Sequence, residues 1–131
     1  MAVVVSFLTV SCSHDMELKQ EIAAANELLP QVYGQCLVAE SISLEEEDVV
    51  YNIVVDANTC GVLDLENHSS QRFIRDQIAT TWYSGMKNNR DFAVRIKNAG
   101  RNIRYHIRMD NSESTLDIVI PNKDLDRYLG Q

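Results

Sequence analysis

Between residues 102 and 110 the chain alternates without a break, with apolar Ile103, Tyr105, Ile107 and Met109 set between polar Asn102, Arg104, His106, Arg108 and Asp110. A period of two belongs to a β-strand, so this segment must lie in a sheet that buries one face and leaves the other to water. A partner strand follows at once. Leu116, Ile118 and Ile120 repeat the alternation, Pro121 ends it, and residues 111–114 supply the turn. Matching the apolar faces pairs Met109 with Leu116 and Ile107 with Ile118, and sets Arg108 opposite Asp117 on the polar face.

A second hairpin is expected earlier, from strands near residues 36–44 and 49–56 joined by the acidic turn Glu45, Glu46, Glu47, Asp48. With that turn as the loop, Leu44 faces Val49, Ile42 faces Tyr51, Glu40 faces Ile53 and Val38 faces Val55. Glu40 is then the one charge on an apolar face, a position from which a carboxyl group can act as a general acid or ligand contact. More often such an outlier marks a sheet edge or a different register.

Helical spacing accounts for the rest. Leu18, Ile22, Ala25 and Leu29 form one stripe over residues 15–29, capped by Ser13 or Asp15 and ended by Pro30. Ile74, Ile78, Trp82 and Met86 recur every fourth residue over 70–88, with Asn67, His68 and Ser69 as capping material. Phe92, Ile96 and Ala99 mark a helix over 90–99 with Gly100 at its left-handed end, and a final short helix over 123–129 is capped by Asn122 and stopped by Gly130. The order is therefore α-β-β-α-α-β-β-α. The predicted fold class is α+β, an antiparallel four-stranded sheet from two β-hairpins packed against helices. A chain of 131 residues without a linker-like stretch makes one domain.

The N-terminus differs in kind. Residues 2–10, AVVVSFLTV, are almost wholly apolar, and no charge precedes Asp15. The run is too short to span a membrane but suits the apolar region of a secretory signal, with Ser11 before Cys12 as a processing site. Its β-branched residues also fit a buried strand. The residues LTVSCSHD, Leu8 to Asp15, resemble the end of a bacterial lipoprotein signal, with the Ser-Cys, following Ser and acidic residue of Bacteroidetes-type lipoproteins. That resemblance implies a partial signal segment over 1–11, a domain over 12–131, a lipid on Cys12, and an outer-membrane sorting residue in Ser13. LLPQVYG (28–34), VVYNIVVDAN (49–58) and AGRNIRYHIRMDNSESTLDIVIP (99–121) are together similar to a group of small bacterial envelope proteins. The group implies this fold and a periplasmic or outer-membrane-anchored location, the membrane being touched only through the lipid anchor, and it brings no catalytic residues. A cytoplasmic location is the alternative.

If Cys12 carries lipid, Cys36 and Cys60 remain as a candidate disulfide in an oxidising periplasm. Hairpin register sets Cys36 opposite Ala57, so a bridge needs the chain to bend after Asp56; two separately buried thiols are the alternative. His14, His68 and His106 lack metal-ligand spacing, and no glycine-rich phosphate loop or nucleophile elbow is present, so neither a metal nor a cofactor is expected. Arg101, Arg104, His106 and Arg108 make a basic stripe that could receive a carboxylate or phosphate, or be a solvated sheet face paired in part to Asp117. A net charge of −7 disfavours nucleic acid as a partner. These features describe a non-enzymatic envelope lipoprotein domain, a structural or protein-binding module. Two alternatives stand beside it: a cytosolic acidic binding module such as a small secretion chaperone, and a small enzyme using Glu40 or His106.

Overall fold

The strand with the least polar sequence, DVVYNIVV, lies at the centre of the sheet. The computed structural model of the protein describes residues 2–33, 35–60, 62–88 and 90–126, with side chains for 13–32, 35–60, 62–81 and 90–126. Helix α1 (Ala2–Asn26) leads to strands β1 (Gln31–Tyr33), β2 (Leu37–Glu45) and β3 (Asp48–Val55); helices α2 (Ala57–Cys60), α3 (His68–Asn88) and α4 (Arg90–Asn98) follow, then β4 (Asn102–Met109), β5 (Thr115–Ile120) and a 3₁₀ turn (Asn122–Asp124). The strands lie in the order β1-β2-β3-β4-β5. All neighbours are antiparallel except β3 and β4, which run parallel from Asp48↔Asn102 to Val55↔Met109.

The expected four-stranded antiparallel sheet is thus corrected to a five-stranded mixed one. The three helices between β3 and β4 carry the chain back to the end of the sheet where β3 began, and a crossover of that length permits parallel pairing. Strand β3 carries the mark of this position, since Val50 and Val54 are buried on one face and Val49, Tyr51, Ile53 and Val55 on the other. The fifth strand, β1, is three residues long, too short for alternation to announce it.

Two registers also differ from expectation. On β2 the ladder passes from Ala39↔Ile53 to Ser41↔Asn52, so Glu40 is the extra residue of a β-bulge. Leu44↔Val49 and Ile42↔Tyr51 stand as expected, but beyond the bulge Leu37 and Ala39 take the inner face in place of Val38 and Glu40. On β5 the pairing is Ile107↔Leu116, Tyr105↔Ile118 and His106↔Asp117, two residues from the expected match, because the turn begins at Asp110 and uses more chain.

Helix α1 does not start at a cap near Ser13 or Asp15. Residues 2–10 belong to the helix and form no strand, and it ends at Asn26, short of the expected Leu29. The three following N–H groups bond back to the carbonyls of Ala24, Ala25 and Asn26, tightening the turn that leads to Pro30. Leu18 and Ile22 enter the core, with Ala25 and Leu29 packed at its margin. Two other helix ends follow the sequence reading. The Asn67 side-chain oxygen accepts from the N–H groups of Ser69 and Ser70 at 2.8 and 3.3 Å, and Gly100, at φ 69°, closes α4 with bonds from Gly100 N–H to Lys97 and from Arg101 N–H to Ile96. The expected helix over 123–129 is a 3₁₀ turn at its start, and its residues 127–129 lie outside the described residues, as do the side chains of Trp82 and Met86.

The helices cover one face of the sheet. Leu18, Ile74, Ile78, Phe92 and Ile96 pack on a layer of Leu37, Val49, Ile53, Ile103 and Ile107, with Tyr51 and Tyr105 side by side across the parallel ladder at a ring separation of 5.1 Å. Asn26 fixes α1 to this layer. Its amide nitrogen donates to the Ile42 carbonyl and its oxygen accepts from the Ile42 N–H, both at 2.8 Å, so one side chain acts as a strand partner where β2 extends past β1. At the other end of β2, Cys36 and Cys60 form a disulfide with Cα atoms 6.0 Å apart. The chain turns into α2 directly after Asp56, whose N–H donates to the Cys36 carbonyl, and that turn brings Cys60 back to the start of β2.

Two outcomes follow. Asn26→Ala leaves a part-buried N–H and C=O of β2 without partners, and should lower unfolding free energy by about 1–3 kcal/mol in urea denaturation monitored by circular dichroism. Removing the cross-link by Cys36→Ser with Cys60→Ser closes no loop in the unfolded chain, and should cost roughly 2–4 kcal/mol for a separation of 24 residues, read as a lower urea midpoint.

Candidate functional site

A groove opens where α1 ends and the chain turns toward Pro30. Ala25, Leu28 and Leu29 form one wall, Ala39, Ile42 and Tyr51 of the sheet form the floor, and Phe92 of α4 closes the end. The cavity measures about 260 Å³, just below the ~300–1,000 Å³ typical of small-molecule pockets. Leu28 is 76% exposed, a large apolar side chain held in water at the lip. Glu21 and Gln31 are the polar residues of the lining. Glu21 lies 3.9 Å from Arg95, whose closer partner is Glu17 at 2.6 Å, so α4 supplies the cation that balances this acidic side of α1.

The sequence offers half of this groove. The stripe Leu18, Ile22, Ala25, Leu29 is visible as a helical period, but nothing in it shows that its last turn runs beyond full burial. The floor is set by the bulge at Glu40 and the α1–β2 docking, both tertiary.

Each residue singled out in the sequence has a definite place. Glu40 projects from the bulge on the face opposite the groove, half-exposed, and its carboxylate accepts from Arg108 Nη2 at 2.7 Å. It does not line the apolar layer, because the extra residue of the bulge turns it outward. Arg104, His106 and Arg108 stand on that same outer face, Arg101 lies just before the strand, and each of the four has an acid beside it. Arg104 meets Glu45 and Asp48, each at 3.3 Å; His106 Nδ1 lies 2.8 Å from Asp117 Oδ1; Arg101 reaches Asp15 at 3.2 Å and also donates to the Glu46 carbonyl. The acidic turn of residues 45–48, remote in sequence, thus supplies partners to Arg104 and Arg101, while Asp117 and Glu40 supply His106 and Arg108. An incoming anion would have to displace these carboxylates.

These pairs also have a structural role. Arg108 on β4 reaches Glu40 on β2 by crossing β3 at Val54, and Arg104 meets its acids beside Val50. Long arginine stems cover apolar surface while their heads stay wet, which accounts for valines 2% and 9% exposed on a face that carries no helix among the described residues.

Neither Glu40 nor His106 lines the groove. His14, His68 and His106 stand on three different elements, and among the described residues no group of three His, Cys, Asp or Glu side chains is placed to hold a metal ion. The Cys12 side chain, the predicted lipidation point, lies outside the described side chains. Among the described residues no helix is long and apolar enough to cross a membrane.

No family model matches this sequence, and no curated protein matches it in sequence. The fold, by contrast, has solved counterparts. The chain superimposes on the type II secretion pilotin EpsS of Vibrio vulnificus with a TM-score of 0.61 at 14% identity, over 89% of this chain and 96% of that one. The type II secretion pilotin AspS of Vibrio cholerae gives a TM-score of 0.60 at 13% identity, over 91% and 98%. A candidate secreted protein from Pseudomonas aeruginosa gives 0.59 at 11%, over 88% and 95%. What the chain shares with these three proteins, along nearly their whole length, is an α+β fold.

Proposed function

We propose that this chain is a non-enzymatic envelope lipoprotein domain with a pilotin-like role, holding a protein component of a secretion apparatus in the groove beside α1. The observation that carries the reading is the shared fold with two type II secretion pilotins over about nine-tenths of the chain. Lipidation of Cys12 and pairing of Cys36 with Cys60 belong to the same reading, since a lipid anchor and a disulfide both imply export to an oxidising compartment.

The position of the groove agrees with such a role. Cys12 and Ala25 stand on one continuous helix, 13 residues apart, which at 1.5 Å per residue is about 20 Å. A lipid on Cys12 would therefore hold the groove roughly 20 Å from the membrane surface on a rigid strut. The groove itself suits apolar side chains of a protein, because eight of its ten lining residues are apolar or aromatic.

Growth with an alkyne fatty acid should label the wild-type protein in the outer-membrane fraction, and Cys12→Ala should abolish both labelling and membrane association. An unlabelled, soluble protein indistinguishable from that variant would end the proposal. A photo-crosslinking residue at Leu28 should capture a secretion-system subunit, and Leu28→Asp should weaken that association by roughly ten- to a hundredfold, the scale of losing one apolar anchor, with labelling unchanged.

A further inference from the structure

The two edges of the sheet are finished differently. On one side β1 is three residues long, and β2 beyond it is occupied at Ile42 by the Asn26 amide. On the other side β5 presents six residues that pair only with β4 among the described strands. Edges are commonly guarded by a short strand, a plug or an outward charge. The one charge on β5, Asp117, is folded back on His106 at 2.8 Å. Burial is also unfinished along this edge. Ile107, Tyr105 and Ile103 on β4 are fully buried, while their partners Leu116, Ile118 and Ile120 are only half-buried, and Val119 on the outer face is 50% exposed.

We propose that β5 pairs antiparallel with β5 of a second copy of this chain, about a twofold axis through Ile118, to make a continuous ten-stranded sheet. Among the central registers, an axis through Asp117 would set two like carboxylates directly opposite each other, which destabilises a strand pair. With the axis at Ile118, Ile118 meets Ile118 of the second copy, Leu116 meets its Ile120, and Asp117 faces its Val119. The ends match in charge as well. Glu113 lies just before β5 and Lys123 just after it, both exposed, so the antiparallel register carries each Glu113 to the Lys123 end of the other copy, twice by symmetry. The groove beside α1 lies toward the opposite edge, so the dimer carries two outward grooves and does not depend on what fills them.

The test uses the full chain with Cys12→Ser, so that no thiol competes. Ile118→Cys should form an intermolecular disulfide under mild oxidation, while Val119→Cys, one residue off the dyad on each strand and so two residues out of register with its own copy, should not. In sedimentation velocity, Glu113→Lys and Lys123→Glu should each weaken self-association by about three- to tenfold, the scale of a few exposed ion pairs, and the double exchange should restore it. A monomer at every concentration overturns the proposal. So does a dimer that ignores the charge exchange and leaves Ile118→Cys unlinked.

Discussion

Parallel pairing of β3 with β4 commits the chain to a crossover, because the segment between them must leave one end of the sheet and re-enter at the other. Helices α2, α3 and α4 make that return and become the layer that buries Val49, Tyr51, Ile53 and Val55. Tyr51 and Tyr105 meet side by side only because the two strands share direction and register. The same central strand must then hide its other valines without a second helical layer among the described residues, and arginines laid across them from β4 serve that purpose.

Charge in this protein is chiefly internal bookkeeping. A sequence with net charge −7 places four cationic or titratable side chains along one strand and its approach, and every one of them meets a carboxylate from a distant segment. Exposed pairs of this type contribute little each, on the order of 0–1 kcal/mol. Their arrangement matters more than their sum, since they tie the acidic β2–β3 turn to the start of β4 and keep the uncovered sheet face from presenting bare valine.

Helix α1 joins the two ends of the proposed function. Its middle packs into the core through Leu18 and Ile22, its last turn opens the groove, and Asn26 locks it to the backbone of Ile42. A rigid helix fixed in this way passes position along its length, so the proposed tether at one end would determine where the groove stands. The solved proteins of the same fold include type II secretion pilotins from two Vibrio species.

Local pattern by itself determined the α+β class, the strand at 102–109, the Leu44–Val49 end of the first hairpin, and the Asn67 and Gly100 helix ends, because each depends on period or on a backbone angle set by one residue. It also singled out Arg101, Arg104, His106 and Arg108; alternation sets Arg104, His106 and Arg108 on a common face, while Arg101 lies just before the strand. Only the tertiary structure decided the rest. A bulge at Glu40 reverses which residues of β2 face inward and leaves no trace in a two-residue period until the core selects Leu37 and Ala39 over Val38. Parallel or antiparallel pairing of β3 and β4 turns on where three helices bring the chain back, and no residue within either strand records it. The groove is likewise a relation between α1, the sheet and Phe92, written in no segment alone, because its shape is the space that their packing leaves unfilled.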